Sequence, residues 1–349
     1  MKRAAGPDLI KAWCTALAVL LVAMSVSFSF STAVLAQTSS NGLTVKNPAD
    51  AKALLEGIQS AAKRLNYQGV FSQQRDGVVH AFRMTHRFDG EREEELLEVL
   101  DNSPREYWRV DDEVHCLMPE QRTIVTESQR QERFPALLMG ELSEFSRYYE
   151  VSVEPTPGRV AGRRCLLIDI EPKDEHRPRY RLCADEESGL LLKAQLLNHQ
   201  GNVLEQIAFG QVQIGQVIPD DALARSWSTE GWQRVDRKPT PIDFQEMGWD
   251  YTVPPGFSPV MQIRRQFNDG REVNQMILTD GLASMSMFIE PYQKNLSQHQ
   301  WEGASQAGSI NLYGQRVDDS WVVVAGEVPA STVYALAQSV DRRDAPLAK

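Results

Sequence analysis

The residues most often used in catalysis or metal binding do not form a recognisable site in this sequence. The six histidines are scattered, and the two on one alternating face, His80 and His86, lack a third ligand at metal-binding spacing. The chain has no GxGxxG fingerprint, phosphate-binding loop, HExxH, CxxC or GxSxG motif. The stretch Gly303-Ala-Ser305-Gln-Ala-Gly308 is one residue too long for the last of these and is typical of a loop. We therefore predict no catalytic residue, no metal site and no cofactor.

Two cysteines are spaced for a disulfide. Residues 164–171 and 177–184 are typical of two antiparallel strands joined by a polar turn. If Cys165 faces Cys183, the same register also pairs opposite charges and apolar side chains. Its other pairs are Leu166 with Leu182, Ile168 with Tyr180, and Asp169 with Arg179. We predict a Cys165–Cys183 disulfide, with two separate reduced thiols as the alternative, and interpret Cys116 as a buried small apolar residue.

The start of the chain has the composition of an export signal. Basic residues precede an apolar stretch over 12–30, and the small residues Val34 and Ala36 precede Gln37. The pattern predicts a signal peptide over 1–36 and a protein of the oxidising periplasm. The alternative is an uncleaved membrane anchor, because the apolar stretch approaches the ~20 residues that span a bilayer. The net charge of −10 argues against nucleic acid as a partner.

The sequence over 44–222 predicts an α+β domain. It opens with an amphipathic helix over 47–65 and continues with strands whose apolar residues alternate. Helical spacing returns after Pro135, where Leu138, Leu142, Phe145 and Tyr149 line one side. A long antiparallel sheet with helices over one face tends to curl around an apolar cavity, which is a common form of lipid site. As cavity contacts we select Phe82, Met84, Trp108, Leu138, Leu142 and Phe145. The alternative is that these six residues belong to an ordinary filled core, which would show the same pattern.

The last third of the chain predicts a second, smaller domain. A polar, proline-containing stretch over 223–240 is typical of a linker, and 241–341 is typical of a small antiparallel sheet with a terminal helix beginning near Pro329. Its many aromatic residues and methionines fit a core and also a partner-binding surface. For contact with a partner we select Arg264, Arg265, Tyr313 and Trp321, for which a solvated arginine pair and a filled core are the alternatives.

Five short stretches carry a resemblance to a known family. They are residues 66–71 (NYQGVF), 158–163 (GRVAGR), 189–193 (GLLLK), 311–314 (NLYG) and 326–333 (GEVPASTV). The chain thereby resembles the sigma-E regulatory family known as RseB, or MucB in pseudomonads, over nearly all of its length after the predicted signal. The resemblance implies a first domain similar to periplasmic lipoprotein carriers, which is a half-open β-barrel with helices across its mouth, and a smaller second domain.

The resemblance also implies a regulatory function. Such proteins hold the periplasmic segment of a membrane-spanning anti-sigma factor, shield it from regulated proteolysis, and are released by lipids similar to lipopolysaccharide. The family supplies no catalytic or contact residues to carry over. A periplasmic lipid or lipoprotein carrier is the first alternative function, and a hydrolase of unrecognised geometry is the second. The sequence leaves open which lipid binds and whether the chain forms a homo-oligomer.

Overall fold

The structure, a computed structural model, describes residues 43–44, 48–127, 134–135, 142, 144–237, 239–266, 271–293 and 301–343. The predicted signal peptide over 1–36 lies outside these residues. Within them the chain is mostly β, with three helices: α1 Pro48–Arg64, α2 Phe145–Tyr148 and α3 Ala330–Gln338. None of these three helices is long and apolar enough to cross a membrane.

Fourteen strands form one large sheet. They are β1 Leu43–Thr44, β2 Tyr67–Arg75, β3 Val78–Phe88, β4 Glu93–Val99, β5 Arg105–Val110, β6 Glu113–Met118, β7 Thr123–Glu127, β8 Tyr149–Val153, β9 Gly158–Val160, β10 Arg163–Pro172, β11 Arg179–Asp185, β12 Leu191–Leu197, β13 Val203–Ile214 and β14 Gln233–Arg237. Their order is β1-β8-β10-β11-β12-β13-β2-β3-β4-β5-β6-β7-β14, with β9 beside β10. Because β1 and β14 stand at opposite ends of this order, the sheet is open and not a closed barrel.

The described residues after β14 contain nine strands, seven of which form a second sheet. The strands here are β15 Thr240–Pro241, β16 Trp249–Asp250, β17 Ser258–Gln266, β18 Glu272–Thr279, β19 Ser284–Pro291, β20 Gly303–Ala307, β21 Ile310–Val317, β22 Ser320–Gly326 and β23 Asp341–Arg342. The sheet order is β15-β17-β18-β19-β22-β21-β20, and β16 pairs separately with β23. As predicted, a terminal helix follows: α3 lies against β21 and β22 and buries Val333, Leu336 and Ala337.

The helix predicted over 47–65 is confirmed as α1. Its apolar residues Leu55, Ile58 and Ala62 are buried, and the helix packs against β3, β12 and α2. Because these side chains join core clusters formed by strands from both halves of the first sheet, α1 covers one face of that sheet. The amphipathic spacing of these apolar residues, together with Pro48 at the first position, predicted this helix.

The second predicted helix is only partly confirmed. Among the described residues, the helical part after Pro135 is α2, which has four residues. The prediction that Tyr149 continues this helix was wrong, because Tyr149 begins β8 and lies opposite Pro172 on β10. Pairing with a neighbouring strand thus overrides the helical spacing of Tyr149 with Phe145.

The predicted disulfide is confirmed. Cys165 on β10 and Cys183 on β11 are bonded, and their Cα atoms are 5.3 Å apart. The two cysteines are not directly opposite, however, because Cys165 faces Asp185 and Cys183 faces Leu167. The bond therefore runs diagonally across the hairpin. Cys116 on β6 is half-buried, which is more exposed than we predicted, and lies outside this bond.

The predicted register of the β10–β11 hairpin was wrong by two residues. The structure pairs Leu166 with Ala184, Ile168 with Leu182, and Asp169 with Arg181. A shift of two residues leaves every side chain on its predicted face. The disulfide prediction is therefore correct although the predicted register is not. The loop over 173–178 is longer than predicted, because Arg177 leaves the ladder and contacts the second domain.

The stretch predicted as a linker over 223–240 contains regular structure. β14 adds to the edge of the first sheet by pairing in parallel with β7, so that Val235 faces Val125. Just before this stretch, a 3-10 turn at Asp220–Leu223 places Leu223 against Leu96 on β4. The connection between the two sheets is therefore held on the first sheet for much of its length.

Candidate ligand-binding and partner-binding sites

Beneath α1, two other phenylalanines of the first sheet and a third, Phe134, pack around the ring of Phe71. The ring of Phe71 lies 5.1 Å from Phe82, 5.2 Å from Phe134 and 5.8 Å from Phe209, measured between centroids. Strand pairing builds three of the four, because Phe71 on β2 faces both Phe82 on β3 and Phe209 on β13. We call these four residues the phenylalanine cluster. Met84 is fully buried in the same apolar core.

A second apolar cluster lies between α1, α2 and strands β8, β10 and β11. It includes Leu142 and Phe145, and the Phe145 ring stacks on Tyr149 at 4.8 Å. Phe134 packs against both clusters and joins them into one continuous apolar interior. This interior therefore contains four of the predicted cavity contacts: Phe82, Met84, Leu142 and Phe145. Their role in binding a ligand remains a prediction.

The structure separates Trp108 from the other predicted cavity contacts. Leu97 faces Met84 across the β3–β4 pair, whereas Trp108 faces the adjacent residue Leu96 across the β4–β5 pair. Neighbouring residues of a strand point to opposite faces. Trp108 therefore lies on the face away from α1, where its ring stacks on His115 at 5.1 Å. The sixth selected residue, Leu138, lies outside the described residues.

The two domains are joined by a buried ion pair that we did not predict from the sequence. Arg177, in the loop between β10 and β11, has no exposed surface. Its Nη1 donates to Asp280 Oδ2 at 2.7 Å, and its Nε donates to Asp174 Oδ1 at 3.0 Å. Tyr149 Oη donates to the same Asp280 oxygen at 2.8 Å. We call Arg177, Asp280 and Tyr149 the arginine contact.

Aromatic rings enclose the guanidinium of the arginine contact. Its central carbon lies 4.4 Å from the ring centroid of Tyr148, 5.1 Å from Phe257 and 5.4 Å from Tyr149. Rings at such distances stabilise a cation through their negative faces. Burial, followed by the neighbouring Tyr180 and Asp280, raises the pKa of Tyr149 well above its usual value. Its hydroxyl therefore keeps the proton that it donates to Asp280.

A second polar contact between the domains brings two carboxylates to one arginine. Arg75 on β2 and Glu205 on β13 belong to the first sheet, and Glu327 follows β22 in the second. Ser309, in the turn between β20 and β21, donates to Glu205. We call these four residues the carboxylate contact. The sequence gives no local signal for it, because its ion pair between the domains joins residues 252 positions apart.

The four residues selected as partner contacts are not brought together. Arg264 and Arg265 lie on β17, and their Nε atoms bind Asn274 at 3.1 Å and Gln275 at 2.8 Å on the next strand. Tyr313 on β21 is half-buried near the other end of the sheet. Trp321 is 3% exposed and packs inside the domain. Their role in partner binding remains a prediction, and the burial of Trp321 indicates a structural role for that residue.

The part of the chain that the structure describes contains no group of three or more histidine, cysteine, aspartate or glutamate side chains that could hold a metal ion. His86 is instead part of the core. Its Nδ1 lies 2.8 Å from the carbonyl oxygen of Leu65 and its Nε2 lies 3.1 Å from Glu93 Oε1. The ring also stacks on Tyr67 at 4.6 Å. These contacts fasten the residue after α1 to β3 and β4.

Two family models match the chain, one for each domain. The model described as the MucB/RseB N-terminal domain matches residues 50–227, and the model described as the MucB/RseB C-terminal domain matches residues 243–341. The two matched ranges are separated by a stretch that includes β14. Both domains of the structure therefore have counterparts in the same pair of models.

Individual relatives agree with the family models. The sigma factor AlgU regulatory protein MucB of Pseudomonas aeruginosa is 30% identical over 301 residues, which cover 84% of this chain and 91% of that protein. The sigma-E factor regulatory protein RseB of Escherichia coli K12 is 25% identical over 298 residues, covering 82% and 89%. The crystal structure of MucB in complex with MucA(peri) matches with a TM-score of 0.65 and 26% identity, covering 85% of this chain and 100% of that one.

Proposed function

Because the chain belongs to the MucB/RseB family, we propose that it is a negative regulator that binds the periplasmic part of a membrane anti-sigma factor. The observation that carries this proposal is the match over both domains to MucB, which was solved in complex with MucA(peri). Binding would shield the anti-sigma factor from regulated proteolysis. The chain would then act as a binding protein and not as an enzyme.

We place this function in the periplasm. The first 36 residues have the pattern of an export signal. The Cys165–Cys183 disulfide suits an oxidising compartment. The regulated anti-sigma segment would lie on the same side of the membrane, so regulator and target could meet without either crossing it.

The direct test is binding of the purified chain to the periplasmic segment of the anti-sigma factor from the same cell. We expect saturable one-to-one binding by isothermal titration calorimetry, and slower cleavage of the segment by its protease when the chain is present. A segment of scrambled sequence provides the matched control. Absence of binding, or equal binding of the scrambled segment, would contradict the proposed function.

We further propose that a lipid similar to lipopolysaccharide releases the partner by entering the apolar interior. The phenylalanine cluster and the cluster around Phe145 provide a continuous apolar environment for acyl chains, supported by α1. We propose that the sheet acts as a half-open barrel with α1 and α2 at its mouth. In linkage terms, the lipid releases the partner only if it binds the free protein more tightly than the complex.

Two aromatic variants on opposite faces of the same sheet test this release. Saturating lipid is expected to weaken binding of the anti-sigma segment about fivefold or more, and the segment should weaken lipid binding by the same factor. Phe82→Ala should reduce this coupling because Phe82 belongs to the phenylalanine cluster. Trp108→Ala, which removes a half-buried aromatic side chain on the other face, should leave it unchanged.

The titration also distinguishes the proposed regulator from a lipid carrier. Independent binding of lipid and segment would contradict lipid-triggered release while leaving the regulator in place. Lipid binding without any binding of the segment would instead favour a periplasmic lipid or lipoprotein carrier. The apolar interior is the observation that keeps this second candidate under consideration.

A further inference from the structure

The carboxylate contact holds more negative charge than its arginine can neutralise. Arg75 Nη2 lies 2.5 Å from Glu205 Oε2 in its own domain and 2.8 Å from Glu327 Oε1 in the other domain. With both carboxylates ionised, two negative charges face one positive charge across the boundary between the domains. The charge balance would improve if one of the two carboxyl groups bound a proton.

The hydrogen-bond donors at this contact serve Glu205 better than Glu327. Glu205 accepts from Arg75 Nε at 2.7 Å, from Gln73 Nε2 and from Ser309 Oγ at 2.8 Å. Glu327 Oε1 lies 3.4 Å from the same Ser309 oxygen, whose single hydrogen cannot serve both carboxylates at once. A proton on Glu327 would remove the excess charge and supply an O–H that can donate to Glu205.

The pKa of Glu327 shifts in the direction that this geometry requires. Desolvation between the domains, followed by the charge of Glu205, raises the pKa of Glu327 from 4.5 to about 7, against the opposing effect of Arg75. However, 38% of the Glu327 side chain is exposed, so hydration opposes the shift. The pKa of Glu327 in the closed contact is therefore raised above 4.5 toward about 7.

The other ionisable groups around the contact are consistent with this direction. Asp76 follows Arg75 in the chain, and its Oδ2 lies 3.3 Å from the position that a Cβ atom at Gly308 would occupy. It adds further negative charge. Tyr180 on β11 is buried, and burial, followed by Asp280 and Glu327, raises its pKa well above the usual value, so it stays neutral. Arg177 is paired with Asp280 in the arginine contact.

We propose that the carboxylate contact is a proton-operated latch between the two domains. In acid, the protonated pair closes the turn between β20 and β21 onto the end of β2. As the pH rises, ionisation of both carboxylates loosens this contact while the buried arginine contact still holds the domains together. The direction of this pH dependence follows from linkage. Glu327 binds its proton more tightly in the closed form, so protonation stabilises that form at low pH, and this stabilisation is lost as the pH rises.

The latch would make the proposed regulator respond to pH as well as to lipid. Where the anti-sigma segment contacts both domains, a change in their arrangement alters its affinity. This consequence rests on the proposed function, whereas the latch itself does not. Measuring the interdomain distance separately from partner binding therefore keeps the two proposals distinguishable.

Distances between spin labels on the two sides of the latch provide the test. Exposed positions suited to labelling are Val79 on β3 and Gln306 on β20, as Val79→Cys and Gln306→Cys in a Cys116→Ser background. Each unit of difference in pKa between closed and open forms changes their ratio by about tenfold. We therefore expect the fraction with the short distance to fall between pH 5 and pH 8, with the closed-to-open ratio dropping about tenfold or more.

Two glutamine variants complete the test. Glu327→Gln cannot ionise and can still donate to Glu205, so the short distance should persist at both pH values. Glu187→Gln is the matched control, because Glu187 is 86% exposed, remote in sequence from the contact and paired with Arg163. It should retain the response of the unmodified chain. Identical distances at pH 5 and pH 8, or an unchanged response in Glu327→Gln, would overturn the latch.

The binding measurement gives the separate readout. If the anti-sigma segment fails to bind at either pH while the distances still change, the proposed function fails and the latch stands. If the segment binds and the distances do not change, the latch fails and the proposed function stands.

Discussion

Replacing Arg177 with alanine is expected to lower the free energy of unfolding by about 3–5 kcal/mol, because removal of one partner leaves a buried charge uncompensated. Arg177 has no exposed surface, and its partner Asp280 has a side chain only 1% exposed. In the variant, Asp280 would keep Tyr149 as a donor but lose its cation. The aromatic rings of Tyr148 and Phe257 would also lose the guanidinium that they enclose.

Urea unfolding followed by tryptophan fluorescence measures this effect. The matched control is Arg181→Ala, because Arg181 pairs with Asp169 through an Nε–Oδ1 contact of 2.6 Å but is 46% exposed. An exposed pair contributes about 0–1 kcal/mol. The double variant Arg177→Ala/Asp280→Ala should be less destabilised than the sum of its single variants, since it removes both charges. Equal losses for Arg177→Ala and Arg181→Ala would refute a central role for the arginine contact.

Local patterns in the sequence predicted the elements whose stability is local. α1 followed from helical spacing because its apolar side packs on a single surface. The disulfide followed from the alternation of faces along two adjacent strands, which a register error of two residues does not disturb. In both cases the residues that carry the pattern are close together in the chain.

The register of the β10–β11 hairpin depends on a distant residue and could not be predicted in this way. The sequence around Arg177 is typical of a strand, but Arg177 lies in a loop, where it forms an ion pair with Asp280, 103 positions later. Tyr149 fits the spacing of a helix, yet β10 pairs with it as a strand residue. Short-range periodicity contains no information about either interaction.

Two buried faces also limited the prediction of the candidate site. On β4 the consecutive residues Leu96 and Leu97 are both buried, because α1 lies over one face of the sheet and the turn at Asp220–Leu223 packs on the other. Alternation of apolar and polar residues identifies a buried face only when the other face is solvated. Trp108 was therefore grouped with Met84 although the two side chains point to opposite faces.

Removing the disulfide in the double variant Cys165→Ala/Cys183→Ala is expected to lower the free energy of unfolding by about 3 kcal/mol. The bonded residues are 18 positions apart, so the bond restricts a loop of moderate length in the unfolded chain. Both cysteines are buried in the apolar core of the first domain, where alanine fills less space. The closed segment also contains Arg177, so the bond limits the freedom of the loop that reaches the second domain.

Cys116→Ala is the matched control for this variant, because Cys116 is half-buried and lies outside the disulfide. It should change the free energy of unfolding by less than about 1 kcal/mol. Mass measurement after alkylation under denaturing conditions would verify the bond in the unmodified chain. If the double variant unfolded at the same urea concentration as the unmodified chain, packing around the hairpin would suffice to hold it. The bond would then be dispensable for stability, and the contacts of Arg177, which include those with Asp174, Asp280 and Pro255, would suffice to hold the loop in position.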